Sequence, residues 1–187
     1  MYTKNDYAKL KGMAGFSDGA LDLHLALYEG YVNNTNKVLE LLEKTEKDSP
    51  QYAELKRRLG WEFNGMRLHE LYFAGLGGKG EIDKSSNLYK SLAENFGSFE
   101  NWQADFVATA KMRGIGWAIL YQDEVSGNLL NFWINEHDTG HPSGLNPILN
   151  IDVFEHAFVP DYGKDKASYI DAFMKNVAWE EVEKRFK

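Results

Sequence analysis

Two histidines of the chain, His24 and His69, are predicted to face the protein interior. A buried imidazole needs a partner for each of its two ring nitrogens. His24 and His69 each lie inside a long stretch of helical periodicity, flanked by apolar or aromatic neighbours. A lone buried histidine usually has a structural explanation. A metal ion on one nitrogen and a hydrogen-bond acceptor on the other would also supply both partners. Both histidines are therefore candidate ligands, with a structural role as the alternative.

A second candidate site is the segment Asp152-Val153-Phe154-Glu155-His156. An aspartate and a histidine four residues apart on a helical turn lie on one face, so both can reach a single ion. Asp152 also follows a predicted buried strand, where an unpaired carboxylate would be costly. The alternative is that Asp152 caps a helix and His156 pairs with a neighbouring acid. Three histidines and one aspartate suit iron or manganese better than a structural zinc site.

The composition excludes several classes of protein. The chain has 187 residues, of which 43% are hydrophobic and 26% charged, and these values are typical of a folded globular protein. It contains no cysteine, which excludes disulfide scaffolds, thiolate metal sites and thiol nucleophiles. The formal net charge of −7 argues against nucleic acid as a partner. No apolar run approaches the length of a membrane span, and no secretory leader opens the chain, so we expect a cytoplasmic protein.

The elements that must position these residues fall into two groups, the first of which is helical. Apolar residues recur at helical spacing over residues 21–42 and again over 51–73, with a charged turn between the two stretches. The Ser17-Asp18 pair is typical of a helix N-cap. The second helix runs into the glycine-rich segment 75–78. The first 80 residues are therefore predicted to form a long helical hairpin.

The second group of elements predicts a smaller lobe. Two β-rich runs joined by a turn at Gly127 predict a hairpin, and another short strand precedes Asp152. Helices that flank a small three-stranded antiparallel sheet make the fold α+β. We expect two domains, a helical hairpin at 1–80 and an α+β domain at 81–187. The predicted helices of this lobe are 86–95, 98–112, 153–156 and 166–186, and the predicted strands are 116–122, 129–135 and 148–151.

Five ordered blocks of the chain resemble the iron/manganese superoxide dismutases. The segment 152–157, followed by Asp161-Tyr162, resembles the closing signature of that family, in which the position of Phe154 is usually Trp. The other blocks resemble the family's first helix, its second ligand helix, its first strand and its C-terminal helix. They are Tyr31-Val32-Asn33-Asn34 with Asn36-Lys37, His69 with Tyr72-Phe73, Gly114-Ile115-Gly116-Trp117, and Val177-Ala178-Trp179-Glu180.

This resemblance implies the ligands, the metal and the reaction. His24, His69, Asp152 and His156 would hold one iron or manganese ion, with a solvent molecule in a fifth position. The two oxidation states of the metal would allow superoxide, the implied substrate, to be alternately oxidised and reduced. No organic cofactor, nucleic acid or membrane is implied as a partner. The family also implies a homodimer or homotetramer in which Glu155 hydrogen-bonds the ligand histidine of the other chain.

Two alternatives to an active dismutase stay open at the level of sequence. A catalytically silent member of the family would serve as a metal-binding or structural subunit, although all four implied ligands are present. A non-haem iron oxygenase would use the same types of ligand, but the sequence offers no obvious pocket for an organic substrate.

The chain departs from the family pattern at two places near the first ligand. In the family, a tyrosine that gates the substrate channel follows that ligand. Tyr31 stands one residue closer to His24 than is usual, which predicts either a lost helical bulge or a repositioned gate. The family's histidine–tyrosine bridge between subunits is also missing, because Tyr28 and Val159 occupy its two ends.

Other departures concern the group that hydrogen-bonds the solvent ligand. One branch of the family uses a glutamine at the position of Gly65, which cannot donate. Another branch uses the segment that corresponds to 135–138, so His137 is the expected donor, and His141 is expected to be a loop or surface residue. Lys166 stands where the family often has an arginine near the channel mouth, so it either steers the anionic substrate or is a solvated lysine. The expected aromatic shell of the site is Trp117, Tyr72, Phe73, Phe154 and Trp133.

Overall fold

A computed structural model describes all 187 residues as seven α-helices and three β-strands, preceded by a short 3₁₀ helix at Ala8–Leu10. The helices are α1 (Asp18–Lys44), α2 (Pro50–Ala74), α3 (Asn87–Phe96), α4 (Phe99–Lys111), α5 (Glu155–Tyr162), α6 (Lys166–Lys175) and α7 (Trp179–Glu183). The strands are β1 (Trp117–Asp123), β2 (Leu129–Ile134) and β3 (Leu145–Asp152). The α+β fold predicted from the sequence is confirmed.

Serine residues begin the first four helices. Ser17, Ser49, Ser86 and Ser98 each have extended backbone and accept a hydrogen bond from the backbone N–H three residues later. Each bond satisfies one of the donors that a helix start leaves free. In α2 the cap is followed by Pro50 at the first helical position, where the missing N–H has no partner to lose. The N-cap predicted at Ser17 is confirmed.

The two long helices form the predicted hairpin, and each carries a buried stripe. The buried residues of α1 recur every three or four positions, which places them on one face of the helix. They are Leu21, His24, Tyr28, Val32, Thr35, Val38 and Leu42. A histidine in such a stripe faces the interior with its apolar neighbours, so the helix delivers His24 to the core.

The sheet has the strand order β2-β1-β3 and is antiparallel throughout. Its register pairs Trp117 with Ile134 on one side and with Asp152 on the other. The start of the central strand therefore lies beside the end of β3. Gly116, just before the strand, has φ +114, and a Cβ there would collide with the carbonyl oxygen of Ile134. Only glycine allows this entry into the sheet.

Three predicted elements differ in the structure. β3 begins at Leu145, earlier than predicted. Residues 153–154 are not helical, because the strand continues to Asp152 and α5 begins only at Glu155. The long helix predicted at 166–186 is two helices, since the backbone of Val177 pairs with Leu76 as an isolated β-bridge and the helix cannot continue through it.

Buried apolar side chains form one continuous core that includes both the hairpin and the sheet. Helix α2 packs against β3, and α1 packs against α5, so the hairpin lies directly on the elements that carry the Asp152 segment. The division into domains at 1–80 and 81–187 stays a prediction. No helix of the structure has the combined length and apolarity that crossing a bilayer requires.

Candidate metal centre

Four elements each deliver one side chain to the same point in the core. His24 comes from α1, His69 from α2, Asp152 from the end of β3 and His156 from the first turn of α5. One potential ligand atom from each residue lies within 4.8 Å of the others. The side chains of His24, His69 and Asp152 are buried, and 22% of the His156 side chain is exposed.

One carboxylate oxygen is the common neighbour of the three imidazoles. Asp152 Oδ2 lies 3.1 Å from His24 Nε2, 3.2 Å from His156 Nε2 and 3.5 Å from His69 Nε2. Its other oxygen, Oδ1, accepts a hydrogen bond from the backbone N–H of Phe154 at 2.8 Å as the chain turns out of the sheet. The prediction that Asp152 and His156 share a helical face is wrong. The turn between β3 and α5 brings them together.

His69 shows that the cluster fits a metal ion. Its Nδ1–H donates to the carbonyl oxygen of Gly65 at 2.5 Å, so Nε2 carries the lone pair. That Nε2 is buried, has no hydrogen-bond partner and faces the carboxylate of Asp152. Burial lowers the pKa of His69 to about 3, which keeps the ring neutral. Two facing lone pairs repel each other, and a cation between them satisfies both.

The charges of the cluster also suit a metal ion. Burial opposes the charge of Asp152, but the facing imidazoles of His156 and His24 hold the pKa of this carboxyl below its usual value. Burial lowers the pKa of His24 despite its bond to Asp152. The facing carboxylate of Asp152 outweighs burial and raises the pKa of His156. A bound metal ion would displace any proton from that ring, and three neutral imidazoles with one carboxylate form a ligand set with a single negative charge, which suits iron or manganese.

Aromatic rings surround the cluster on several sides. Tyr72 and Phe73 lie 5.2 and 4.9 Å from the ring centre of His24. Trp117 meets His69 edge-on at 5.2 Å. Phe154 stacks on His156 at 5.5 Å. The structure therefore brings these four predicted aromatic residues together around the candidate ligands.

Trp133, the fifth ring expected in this shell, lies elsewhere. It pairs with Ala118 of β1 in the sheet register, and Trp117 is the residue just before Ala118. Successive residues of a strand point to opposite faces, so Trp133 and Trp117 are on opposite faces of the sheet. The ring of Trp133 packs over Gly114 instead. The expectation that Trp133 lines the site is wrong, because its position opposite Ala118 turns its side chain to the face of the sheet away from Trp117.

Tyr31 reaches the cluster from a regular helix. Helix α1 is uninterrupted, so the shorter spacing from His24 corresponds to the absence of a helical bulge. The Tyr31 ring stacks on His69 with 5.2 Å between ring centres. It also lies directly on Gly65, where a Cβ would be only 2.5 Å from the ring. Burial raises the pKa of Tyr31 to about 12, so its hydroxyl keeps its proton.

His137 links Tyr31 to the sheet. The indole Nε1–H of Trp117 donates to His137 Nδ1 at 3.1 Å, and the Tyr31 hydroxyl lies 2.8 Å from His137 Nε2. Burial lowers the pKa of His137 to about 4, so the ring is neutral and carries one N–H. Because Nδ1 accepts from the indole, that hydrogen is on Nε2 and is directed at the Tyr31 oxygen.

The residues at the missing subunit bridge have different surroundings. Tyr28 is buried, and its hydroxyl donates to Glu70 Oε1 at 3.1 Å and accepts from the backbone N–H of Asn5 at 2.9 Å. Val159 is 45% exposed, and Glu155 is exposed as well.

Lys166, the predicted steering residue, is held by a backbone contact. Its ammonium donates to the carbonyl oxygen of Met112 at 2.6 Å. Burial lowers the pKa of Lys166.

Comparison with known proteins decides the family. Residues 84–185, more than half of the chain, match the family model described as iron/manganese superoxide dismutases, C-terminal domain. The chain belongs to the iron/manganese superoxide dismutase family. The resemblance seen in the sequence is therefore confirmed.

Relatives named for iron and for manganese match this dismutase family member equally well. The chain is 36% identical over 167 residues to superoxide dismutase [Mn] 1 of Halobacterium salinarum, which covers 88% of this chain and 82% of that protein. It is 36% identical over 193 residues to superoxide dismutase [Fe] of Aquifex pyrophilus, covering 97% and 89%. With superoxide dismutase [Fe] of Pyrobaculum aerophilum it shares 34% identity over 169 residues, covering 88% and 80%. The manganese-named and iron-named relatives therefore share the same 36% identity with this chain.

Sequence reasoning missed several polar contacts around the dismutase centre. The Tyr169 hydroxyl donates to the backbone carbonyl of Asp152 at 2.7 Å and lies 3.0 Å from the Tyr72 hydroxyl. Asn64 donates to the backbone carbonyl of His137 at 2.8 Å. His141, expected to be a loop or surface residue, lies in the connection between β2 and β3, but it is partly buried and has both ring nitrogens hydrogen-bonded. No sequence pattern around these residues indicates which partners they contact.

Proposed function

We propose that this protein converts superoxide to dioxygen and hydrogen peroxide, with His24, His69, Asp152 and His156 as the ligands of one iron or manganese ion. The observation that carries the proposal is the convergence of three imidazole nitrogens on one buried carboxylate oxygen. Membership in the dismutase family supports the reaction. A catalytically silent subunit has no comparable support, because none of the four candidate ligands is missing.

The reaction sets two tasks for the residues of the chain. Two superoxide ions and two protons give one dioxygen and one hydrogen peroxide, so the site must move electrons and protons. A metal ion held by His24, His69, Asp152 and His156 would supply the redox chemistry through its two oxidation states. The protein must hold the metal in a dry pocket and direct protons to the substrate.

Tyr31 and His137 are the residues that we assign to proton handling. The Nε2–H of His137 points at the Tyr31 oxygen, so the Tyr31 O–H is left to donate towards the candidate ligands, next to His69. A neutral imidazole has only one N–H and cannot donate to Tyr31 and to a second acceptor at once. We therefore assign His137 a role through Tyr31, which refines its expected role as the direct donor to the solvent ligand.

Tyr31 acts as the gate of this arrangement. Its ring covers His69 and lies on Gly65, and its hydroxyl is held by His137. The aromatic side chains of Tyr72, Phe73, Trp117 and Phe154 exclude bulk water from the remaining sides. An electrostatic interaction in a dry pocket is stronger than in water, so the position of one hydroxyl proton matters.

We further propose that the protein acts as a homodimer or homotetramer. Glu155 is exposed in the single chain and adjoins His156, whose side chain is also partly exposed. A carboxylate from one subunit can then accept a hydrogen bond from the ligand histidine of the other, as the family pattern implies. Steering of superoxide by Lys166 and the cytoplasmic location both stay predictions, which salt-dependent kinetics and cell fractionation would test.

Reconstitution tests the proposed function. The metal-free protein is loaded separately with Fe²⁺ and Mn²⁺, bound metal is measured by elemental analysis, and superoxide decay is followed by stopped-flow absorbance. We expect about one ion per chain and catalytic superoxide decay with at least one of the metals, with no catalysis by the metal-free protein. One bound ion per chain without catalysis by either metal would overturn the proposal.

A further inference from the structure

His137 depends on side-chain contacts for its position, because no regular element carries it. It lies in the connection between β2 and β3, which includes two glycines with positive φ, Gly140 and Gly144. Its ring is bonded by Trp117 and Tyr31, but its backbone forms part of neither strand. Some other contact must fix the backbone if the ring is to stay aligned with Tyr31.

The backbone carbonyl of His137 supplies that contact. Its oxygen accepts one hydrogen bond from Asn64 Nδ2 at 2.8 Å and another from His141 Nε2 at 2.7 Å. A carbonyl oxygen has two lone pairs, so both are used. Asn64 belongs to α2, and His141 lies four residues further along the same connection. The backbone of His137 is therefore held from two sides.

His141 is itself fixed by the sheet. The Tyr121 hydroxyl lies 2.8 Å from His141 Nδ1, and Tyr121 is a buried residue of the central strand β1. Since His141 Nε2 must carry the hydrogen that goes to the His137 carbonyl, Nδ1 has the lone pair and accepts from the Tyr121 hydroxyl. Both nitrogens of the ring are thus engaged, and β1 is connected to His137 through His141.

We infer that His141 is a positioning residue of the active centre, which holds His137, and through it the Tyr31 hydroxyl, in register with the candidate ligands. The inference rests on the proposed function only for its effect on activity. The chain of contacts from Tyr121 through His141 and His137 to Tyr31 joins protein groups alone, so it can be tested without catalysis.

Three variants and one control separate this role from a general effect on folding. His141→Leu removes both hydrogen bonds, whereas His141→Gln places an amide nitrogen near the position of Nε2 and can still donate to the carbonyl. Tyr121→Phe removes only the hydroxyl that orients His141. The control is Asn146→Ala, which loses one side-chain bond to the carbonyl of Arg185 at the far end of the sheet from Trp117.

Activity per bound metal ion is the first readout, measured on the holoenzyme. Of the two bonds lost in His141→Leu, only the one to the His137 carbonyl holds His137 directly, and loss of one hydrogen bond of average strength corresponds to about a fivefold change. We therefore expect about a fivefold loss in His141→Leu, a smaller loss in Tyr121→Phe, and activity within about twofold of the parent in His141→Gln and Asn146→Ala. Equal activity of His141→Leu and the parent would overturn the inference. So would an equal loss in His141→Leu and His141→Gln.

Hydrogen exchange of the Trp117 indole N–H is the second readout, and it is independent of activity. In NMR spectra of the full-length metal-free protein, this proton reports the bond to His137 Nδ1. We expect it to exchange about fivefold faster in His141→Leu and at the parent rate in His141→Gln and Asn146→Ala. An unchanged rate in His141→Leu, or an equal acceleration in Asn146→Ala, would contradict the positioning role. This result stands whether or not the parent protein is a dismutase.

Discussion

Replacing Gly65 by alanine tests how the gate is placed. A Cβ at this position would lie 2.5, 2.7 and 2.9 Å from three carbons of the Tyr31 ring. The ring must therefore move by about 1 Å before ordinary carbon–carbon contact is restored. The Tyr31 hydroxyl is 2.8 Å from His137 Nε2, and a displacement of that size takes the pair out of hydrogen-bond range.

Two opposing effects decide the stability of this variant. Alanine in place of glycine inside a helix stabilises by about 1 kcal/mol. Overpacking a buried position costs about 1–3 kcal/mol. We expect the free energy of unfolding of Gly65→Ala to fall by up to about 2 kcal/mol. Gly60, in the same helix, is the matched control, because a Cβ there would meet only the Asp138 side chain, with Cβ at 3.5 Å and Oδ2 at 4.0 Å. Gly60→Ala should therefore stabilise by about 0.5–1 kcal/mol.

Urea unfolding and activity per bound metal measure the two consequences. A misplacement of about 1 Å near the reacting groups costs about 100-fold in rate, so Gly65→Ala should lose activity on that scale while Gly60→Ala keeps it. In the double variant Tyr31→Ala/Gly65→Ala the ring is gone, so the alanine at 65 should stabilise relative to Tyr31→Ala alone. The reasoning is refuted if Gly65→Ala is as stable and as active as Gly60→Ala.

Two further predictions concern His137 and Glu155. His137→Ala should keep most of its metal, since no ligand is lost, but should lose about 10- to 100-fold in activity, and His137→Gln should retain more because its amide can still donate. Activity per bound metal in both variants decides this, and parental activity in both would show that His137 has no catalytic role. Glu155→Ala should weaken both subunit association and metal retention, as measured by sedimentation and elemental analysis, while Glu180→Ala, another exposed helical glutamate, should not. A fully dimeric, fully metallated Glu155→Ala would exclude the role across the subunit boundary.

The helices and their starts were accessible from sequence because local chemistry determines them. Ser17 and the three- or four-residue spacing of apolar residues in α1 predict the element that the structure contains. The four candidate ligands were also identified, in part through the family resemblance. The position of Asp152 on a strand was not, because an Asp and a His four residues apart fit a helical turn and a strand-to-helix turn equally well.

Contacts between distant elements could not be predicted in the same way. His141 meets Tyr121 of β1 and the carbonyl of His137 only after the connection between β2 and β3 has folded back, and no residue pattern encodes that path. Tyr169 reaches the Asp152 carbonyl from α6 for the same reason. Trp133 differs, because its register opposite Ala118 sets its face, and alternation along the strand then places it away from the site.

Metal content together with activity in Asp152→Ala tests most directly whether these four side chains hold the catalytic metal. Asp152 Oδ2 is the atom that all three imidazole nitrogens face, so its removal should weaken metal binding by about 100-fold or more and abolish superoxide dismutation. Asp161→Ala, which removes an exposed carboxylate nine residues later, should keep both. Full metal occupancy with unchanged activity in Asp152→Ala would contradict the assignment of the centre.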